Sequence, residues 1–317
     1  MEFKQLKTIS KIIPTAGKHW VGDGFNVRPL FDSYAFTEAI SPFLMFDYAE
    51  PKMFPPTKKR LGVGNHPHRG FETVTIAFQG EVEHADSTGM SGVISEGDVQ
   101  WMRAGRGIVH QEFHSTRFAS EGGMFEMSQI WVNLPKKYKM VKPKYQGITN
   151  EMIPKIYFNS ESNVCTVNDN NSNTNDDSSN TNDAIGFVRI IAGIYKSHEG
   201  PAHTHSPMGM YDIEITKENQ VFQYDVPIGW TTLVFNRGKK PLIIGDSNKK
   251  TTIEPQTVAI MDTSNPTLRI QSNEPKAKIL LLTGEPLNEP IAHMGPFVMN
   301  TQKELQQAVH DYQSGKF

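Results

Sequence analysis

The sequence reads as an all-β protein organised as two domains of sandwich or barrel type, with one short helix near its end. Three observations predict this. Short apolar runs recur along the 317 residues. The 25 glycines and 20 prolines are scattered between those runs as punctuation. A polar tract past the middle separates two groups of such runs. Many short strands with turn signals between them favour a sandwich or barrel architecture, and a chain of this length can bury a sizeable core.

Taken in order, the strand candidates in the first half are TVTIAFQG (residues 73–80), GDVQWM (97–102) and SQIWVNL (128–134). Those in the second half are GFVRIIAGI (186–194), YDIEITKE (211–218), TTLVFNRG (231–238) and AKILLLTG (277–284). Between them, residues 159–183 collapse to Asn, Asp, Ser and Thr. Such a tract has too little apolar surface to offset its ordering entropy and reads as a disordered insertion between the two domains. The domains expected from sequence are therefore residues 1–150 and 184–317. The helix is NTQKELQQAVHDYQ, where Thr301 and Glu304 have capping-box spacing and Leu305, Val309 and Tyr312 share a face.

Composition narrows the setting. Thirty-two basic against 34 acidic residues give a formal charge of −2, a balance that gives no reason to expect a nucleic-acid or membrane surface as the main partner. The single cysteine, Cys165, excludes an intramolecular disulfide and fits a reducing compartment. It sits in the polar tract with nothing near it to lower its pKa, and reads as an incidental exposed thiol. The N-terminal residues lack a signal-peptide pattern, and no run reaches the ~18 apolar residues of a membrane helix. The expected setting is intracellular, in cytoplasm, nucleus or both.

The chemistry is carried by two short motifs. NHPH places His66 and His68 one residue apart, and HQE places His110 and Glu112 one residue apart. Side chains two apart on a strand point the same way. Two facing strands would then aim three imidazoles and a carboxylate at one point. His66, His68, Glu72, Val74, Ile76 and Phe78 share parity, which suggests an apolar face ending in two ligands, with Pro67 and Gly70 able to disturb the register. An isolated H-x-H is more often two hydrogen-bonded histidines than a ligand pair. Two dyads of matched parity in a β-rich chain turn that balance. Three imidazoles and a carboxylate without thiolate suit Fe(II), one per chain, with Mn, Co, Ni and Cu as competitors.

The remaining histidines have blander readings. His84 follows GEVE and reads as a turn residue. His114 is a reserve ligand or a pocket residue. His203 and His205 repeat H-x-H, but only His293 and His310 follow, so they lack partners for a second metal and mark a degenerate copy of the first half.

The strings NHPHRGFETVT, GDVQWMRAGRGIVHQE, IWVNLPKKYKM, GEPLNEP and GPFVMNT resemble the pirin family of the cupin superfamily. The resemblance implies a bicupin: two jelly-roll-like β-barrels face to face, with iron in the N-terminal one only and His66, His68, His110 and Glu112 as its ligands. Glu72 then becomes a pocket residue. Two roles are associated with the family. One is quercetin 2,3-dioxygenase activity, opening a flavonol ring with dioxygen. In that role Glu112 is the candidate base for the flavonol 3-hydroxyl, and Phe71, Trp101, Met102 and Phe113 are candidates for the walls. The other role is an iron-dependent, redox-responsive transcriptional co-regulator that contacts transcription-factor proteins. Lys136, Lys137, Lys139, Lys142 and Lys144 form a candidate contact patch, although such runs are usually solvated loops. Direct nucleic-acid binding is not expected, and a monomer is.

Overall fold

The computed structural model describes residues 5–32, 38–159, 184–245 and 250–317. They form two compact units, Ala16–Asn150 with Leu287–Phe317, and Met1–Thr15 with Glu151–Pro286. The units are thus not the consecutive segments 1–150 and 184–317. Each end of the chain packs with the half remote from it in sequence. The cause at one end is strand pairing: Ile9–Ile12 runs antiparallel to Val258–Met261. The polar insertion, apart from Asn159, lies outside the described residues, as does Cys165.

The unit that carries the histidine motifs begins with β1 (His19–Val21), β2 (Phe25–Asp32), β3 (Phe43–Phe54), β4 (Gly62–His68) and β5 (Phe71–Gln79). It continues with β6 (Val82–Asp86), β7 (Ser91–Ile94), β8 (Val99–Arg103), β9 (Ile108–His114), α1 (Thr116–Glu121), β10 (Gly123–Asn133) and β11 (Lys144–Ile148). The later segment adds the hairpin β12 (Ala292–Met294) and β13 (Phe297–Met299), then α2 (Gln302–Gln313). A seven-stranded sheet has the order β11-β8-β5-β10-β3-β2-β1, and a four-stranded sheet the order β4-β9-β6-β7. Every expected apolar run of this half falls in a strand, as β5, β8 and β10.

The sheets close over an apolar floor made by Phe25, Val27, Ala49, Phe54, Ala77, Val82, Phe118, Phe125 and Met127. Helix α1 was not expected. Its cap is plain in the sequence in retrospect, since the Ser115 hydroxyl accepts from the Phe118 N–H at 3.0 Å. Helix α2 starts as its sequence predicts: Thr301 Oγ1 accepts from the Glu304 N–H, and Glu304 Oε2 accepts from the Asn300 N–H at 3.0 Å. Its buried residues are Leu305 and Ala308, with Val309 half-buried and Tyr312 largely exposed.

The second unit repeats the plan. Its seven-stranded sheet runs Ile9–Ile12, Val258–Met261, Thr231–Asn236, Ala277–Gly284, Met208–Ile215, Gly186–Ala192, Lys155–Phe158. Its four-stranded sheet runs Val221–Asp225, Thr267–Gln271, Leu242–Ile244, Thr251–Ile253. Read position by position, Ile9–Ile12 fills the edge slot that β11 fills in the first unit. Among the described residues, no helix is long and apolar enough to cross a membrane.

Candidate functional site

Strands β4 and β9 pair antiparallel with His110 opposite His66 and Ile108 opposite His68. Burial along β9 alternates strictly, with Ile108, His110, Glu112 and His114 buried and the residues between them half-buried. The H-x-E spacing therefore aims His110 and Glu112 inward together. Beyond His110 the register shifts, so that Glu112 lies opposite Val63: two steps on β9 match three on β4. A bulge of this kind re-aims side chains locally. Gly64 and Asn65, at the extra step, are exposed.

The three imidazoles converge. Ring centroids lie 4.2 Å apart for His66 and His110, and 4.9 Å apart for His68 with either of the other two. One nitrogen from each ring falls within 4.8 Å of the others. Nitrogens this close together could hold a single metal ion between them. His66 Nδ1 contacts the Gly64 carbonyl at 2.8 Å. A carbonyl only accepts, so this nitrogen carries the proton and Nε2 keeps its lone pair. Both nitrogens of His110 and Nδ1 of His68 are buried, with no hydrogen-bond partner among the described residues. Buried polar atoms are rarely left so in a folded protein, and a cation fits these. Burial pulls the pKa of all three rings down, strongly for His68 and His110, where neighbouring imidazoles add to it. They are neutral near pH 7, the form that binds metals.

Glu112 is not part of the 4.8 Å cluster. Its carboxyl lies further into the barrel, where Thr75 Oγ1 stands 3.3 Å from Oε1 and donates at 2.6 Å to Gln129 Oε1. Burial pushes the Glu112 pKa up to about 7, against the Thr75 hydroxyl, which lowers it. Register explains this surrounding. Asp47, Gln129, Thr75 and Gln100 are successive cross-strand partners on β3, β10, β5 and β8 and so share the interior face. Met45, Trp131, Thr73, Met102 and Tyr145 form the next row in the same way. The Gln100 Nε2 is another buried donor with no partner among the described residues.

This register corrects the parity argument for the first strand. The segment 66–78 is not one strand. It breaks at Gly70, whose φ of 90° only glycine adopts readily, and β5 restarts at Phe71. Odd residues of β5 consequently face the histidines, and Glu72 faces the other way. It lies against the Trp101 indole and near Arg103, which oppose the effect of burial; burial wins and raises its pKa to about 7. Glu72 is not a pocket residue. Among the proposed walls, Phe71 touches His68 with ring centroids 5.1 Å apart, and Met102 packs with Ile108 and Tyr145. Trp101 shares the face of Glu72. Phe113 points outward beneath the Arg60 guanidinium at 4.0 Å.

Several residues escaped sequence reasoning. Trp131 lies 5.3 Å from His68 and 4.3 Å from Phe71, ring to ring. Alternation within SQIWVNL was the available signal, but it could not say which face was inner. His84 is a strand residue rather than a turn residue. It pairs with Glu112 across β6 and β9 and stacks on Tyr145 at 5.0 Å. His114 is a core histidine of the apolar floor, ringed by Phe25, Phe54, Phe118 and Phe125, with Nε2 3.0 Å from the Gly24 carbonyl. Of the lysine run, Lys139 is buried, while Lys136, Lys137, Lys142 and Lys144 are exposed.

Among the described residues of the second unit, no cluster equivalent to the three histidines is found. The strands that correspond to β4 and β9 are Val221–Asp225 and Thr267–Gln271, and neither contains a histidine. His203 and His205 lie ahead of Met208–Ile215, the counterpart of β3, so their H-x-H is not a copy of the first. Among the described residues, no third ligand joins them in a cluster.

Two repeats of a seven-plus-four-stranded β-barrel, one with a triple-histidine cluster of which His68 and His110 are buried, define a bicupin with a candidate metal centre in one half. Family models agree: that of pirin matches residues 24–132, and that of the pirin C-terminal cupin domain matches residues 210–317. The chain is 44% identical over 313 residues to a Pseudomonas aeruginosa protein named "Putative quercetin 2,3-dioxygenase", covering 98% of this chain and 99% of that one. It is 32% identical over 282 residues to human pirin, covering 87% of this chain and 83% of the relative. A crystal structure of quercetin 2,3-dioxygenase from Acinetobacter baumannii superposes with a TM-score of 0.86 at 43% identity, covering 98% of both chains. This chain belongs to the pirin family.

Proposed function

We propose that the protein is a metal-dependent dioxygenase of the quercetin 2,3-dioxygenase type, acting on a flavonol-like hydroxylated aromatic. The observation that carries this reading is the convergence of three neutral imidazoles from two strands, with buried nitrogens that have no partner among the described residues. The names borne by the 44% identical relative and the 43% identical structure support the same reaction class. In this reading His66, His68 and His110 hold one Fe(II) or a related divalent ion, and Glu112 completes the set. Such an ion, once bound, supplies open positions for oxygen ligands and one-electron chemistry.

The protein's own part is positioning, exclusion of water and proton transfer. Phe71, Trp131 and Met102 wall the histidines with apolar and aromatic surface, suited to a flat ring system. Glu112 is the proposed base for the acidic hydroxyl of the substrate. In the metal-free protein burial raises its pKa to about 7, so that its carboxylate, once free of an ion, can take up a proton near neutrality. The Thr75 hydroxyl gives its one proton to Gln129, so its oxygen accepts from the Glu112 carboxyl when that group is protonated.

The test is aerobic turnover of quercetin by protein loaded with a measured amount of Fe(II), followed by oxygen uptake and flavonol absorbance. His110→Ala should lose both metal and turnover. Metal-replete protein that consumes neither flavonol nor oxygen would refute the enzyme reading.

A further inference from the structure

His68 is followed by Arg69, a charged residue only 3% exposed. Its main chain is stitched to β13: the Arg69 N–H donates to the Pro296 carbonyl at 3.2 Å, and the Val298 N–H donates to the Arg69 carbonyl at 3.0 Å. Its guanidinium makes three more contacts. Nε donates to the Arg106 carbonyl at 2.6 Å, and Nη1 pairs with Asp311 of α2 at 2.9 Å. The group also lies over the Phe317 ring, 4.4 Å from its centroid. Phe317 is held in turn by Phe297 and Tyr312, at 5.7 and 5.6 Å between centroids.

The placement of Arg106 matters. It stands in the turn that leads into β9, between Gly105 and Gly107, whose φ angles of 52° and 131° few other residues tolerate. The turn is closed by the Gly107 N–H donating to the Ala104 carbonyl at 3.0 Å, and the Arg106 N–H donates to the Val141 carbonyl at 2.8 Å. The Arg69 side chain ties the turn to the end of β4, and the Gly70 N–H adds a bond to the Gly105 carbonyl at 2.8 Å. His66 and His68 ride on β4 and His110 rides on β9. The spacing of their nitrogens depends on how those two strand ends are held together.

We infer that Arg69, held by Asp311 and Phe317, is a positioning residue for the histidine cluster, so that the 287–317 segment sets the affinity of the cluster for metal. This rests on the metal reading above. Groups that orient ligands from outside the first layer typically change metal affinity by ~10–100-fold.

The test uses the full chain and Co(II), whose visible bands report ligand geometry. Phe317→Leu keeps an apolar side chain but removes the aromatic face beneath the guanidinium. Arg69→Met with Asp311→Leu removes the link to the Arg106 carbonyl without leaving a lone buried charge. Both should raise the Co(II) dissociation constant, measured by chelator competition, by ~10-fold and shift the bands. The metal-free variants should still unfold in one cooperative transition. A purely structural role would lower the melting temperature while leaving constant and bands as in the wild type, and that result would overturn the inference. If the double variant does not fold, Phe317→Leu alone decides. Wild-type protein that fails to bind Co(II), or His110→Ala that binds it equally well, would instead refute the metal site itself and the inference with it.

Discussion

Lys139 offers the sharpest test of how this barrel is held. Its Nζ donates to Asn133 Oδ1 at 2.6 Å, the Gly70 carbonyl at 2.7 Å and the Val298 carbonyl at 2.9 Å. The side chain is 1% exposed. Burial lowers its pKa to about 7, while Glu289 and Glu304 push it back up. An ammonium has three N–H bonds and a neutral amine two, so three acceptors match the charged form. Lys139→Met keeps the length of the chain and removes every donor. Each buried acceptor left unpaired costs about 1–3 kcal/mol, which for three gives about 3–9 kcal/mol. Removing a buried ammonium recovers several kcal/mol of desolvation. The net loss should be about 2–4 kcal/mol, or about 5–15 °C in melting temperature for a domain of this size. Urea and thermal unfolding of the metal-free protein measure it directly. A loss below about 1 kcal/mol would show that the three oxygens find water, and that the main-chain bonds of Arg69 hold the β4–β5 turn to β13 without the lysine.

Other expectations follow from the same geometry. Asp47 has its pKa raised from 3.8 to about 6, chiefly by burial, so its charged form destabilises the fold above about pH 6 and the penalty fades toward pH 4. Asp47→Asn should therefore stabilise the protein by about 1–3 kcal/mol at pH 8 and not at pH 4, read from melting curves at the two values. Glu112→Gln, compared at equal iron occupancy, should cut flavonol turnover by ~10²–10⁴ if Glu112 is the base. A fully loaded variant with wild-type turnover would leave Glu112 outside proton transfer, and Glu72, which faces away, could not replace it. Elemental analysis should find close to one metal per chain, unchanged in His203→Ala and lost in His110→Ala.

The sequence by itself determined seven of the strands, the helix start at Thr301 and the inward pairing of His110 with Glu112. These depend on local chemistry: alternation along one strand, a capping side chain, a turn glycine. It also carried the family resemblance, in strings long enough to stand without structure. Tertiary structure decided everything that depends on which strand lies beside which. The parity that linked Glu72 to His68 failed because Gly70 restarts the count between two strands. Trp131 and Thr75 joined the site because register with β5 and β10 put them on the inner face, and nothing in a single strand's pattern names its inner face. His114 matched His110 in parity, yet four further residues along β9 carried it from the histidine cluster into the apolar floor. Lys139 sat in a run of charges that looks solvated, and only the arrival of Gly70 and Val298 beside it gave its ammonium three acceptors. Those partners come from opposite ends of the chain, and contacts of that range are set by the packing of whole sheets, which no local pattern encodes.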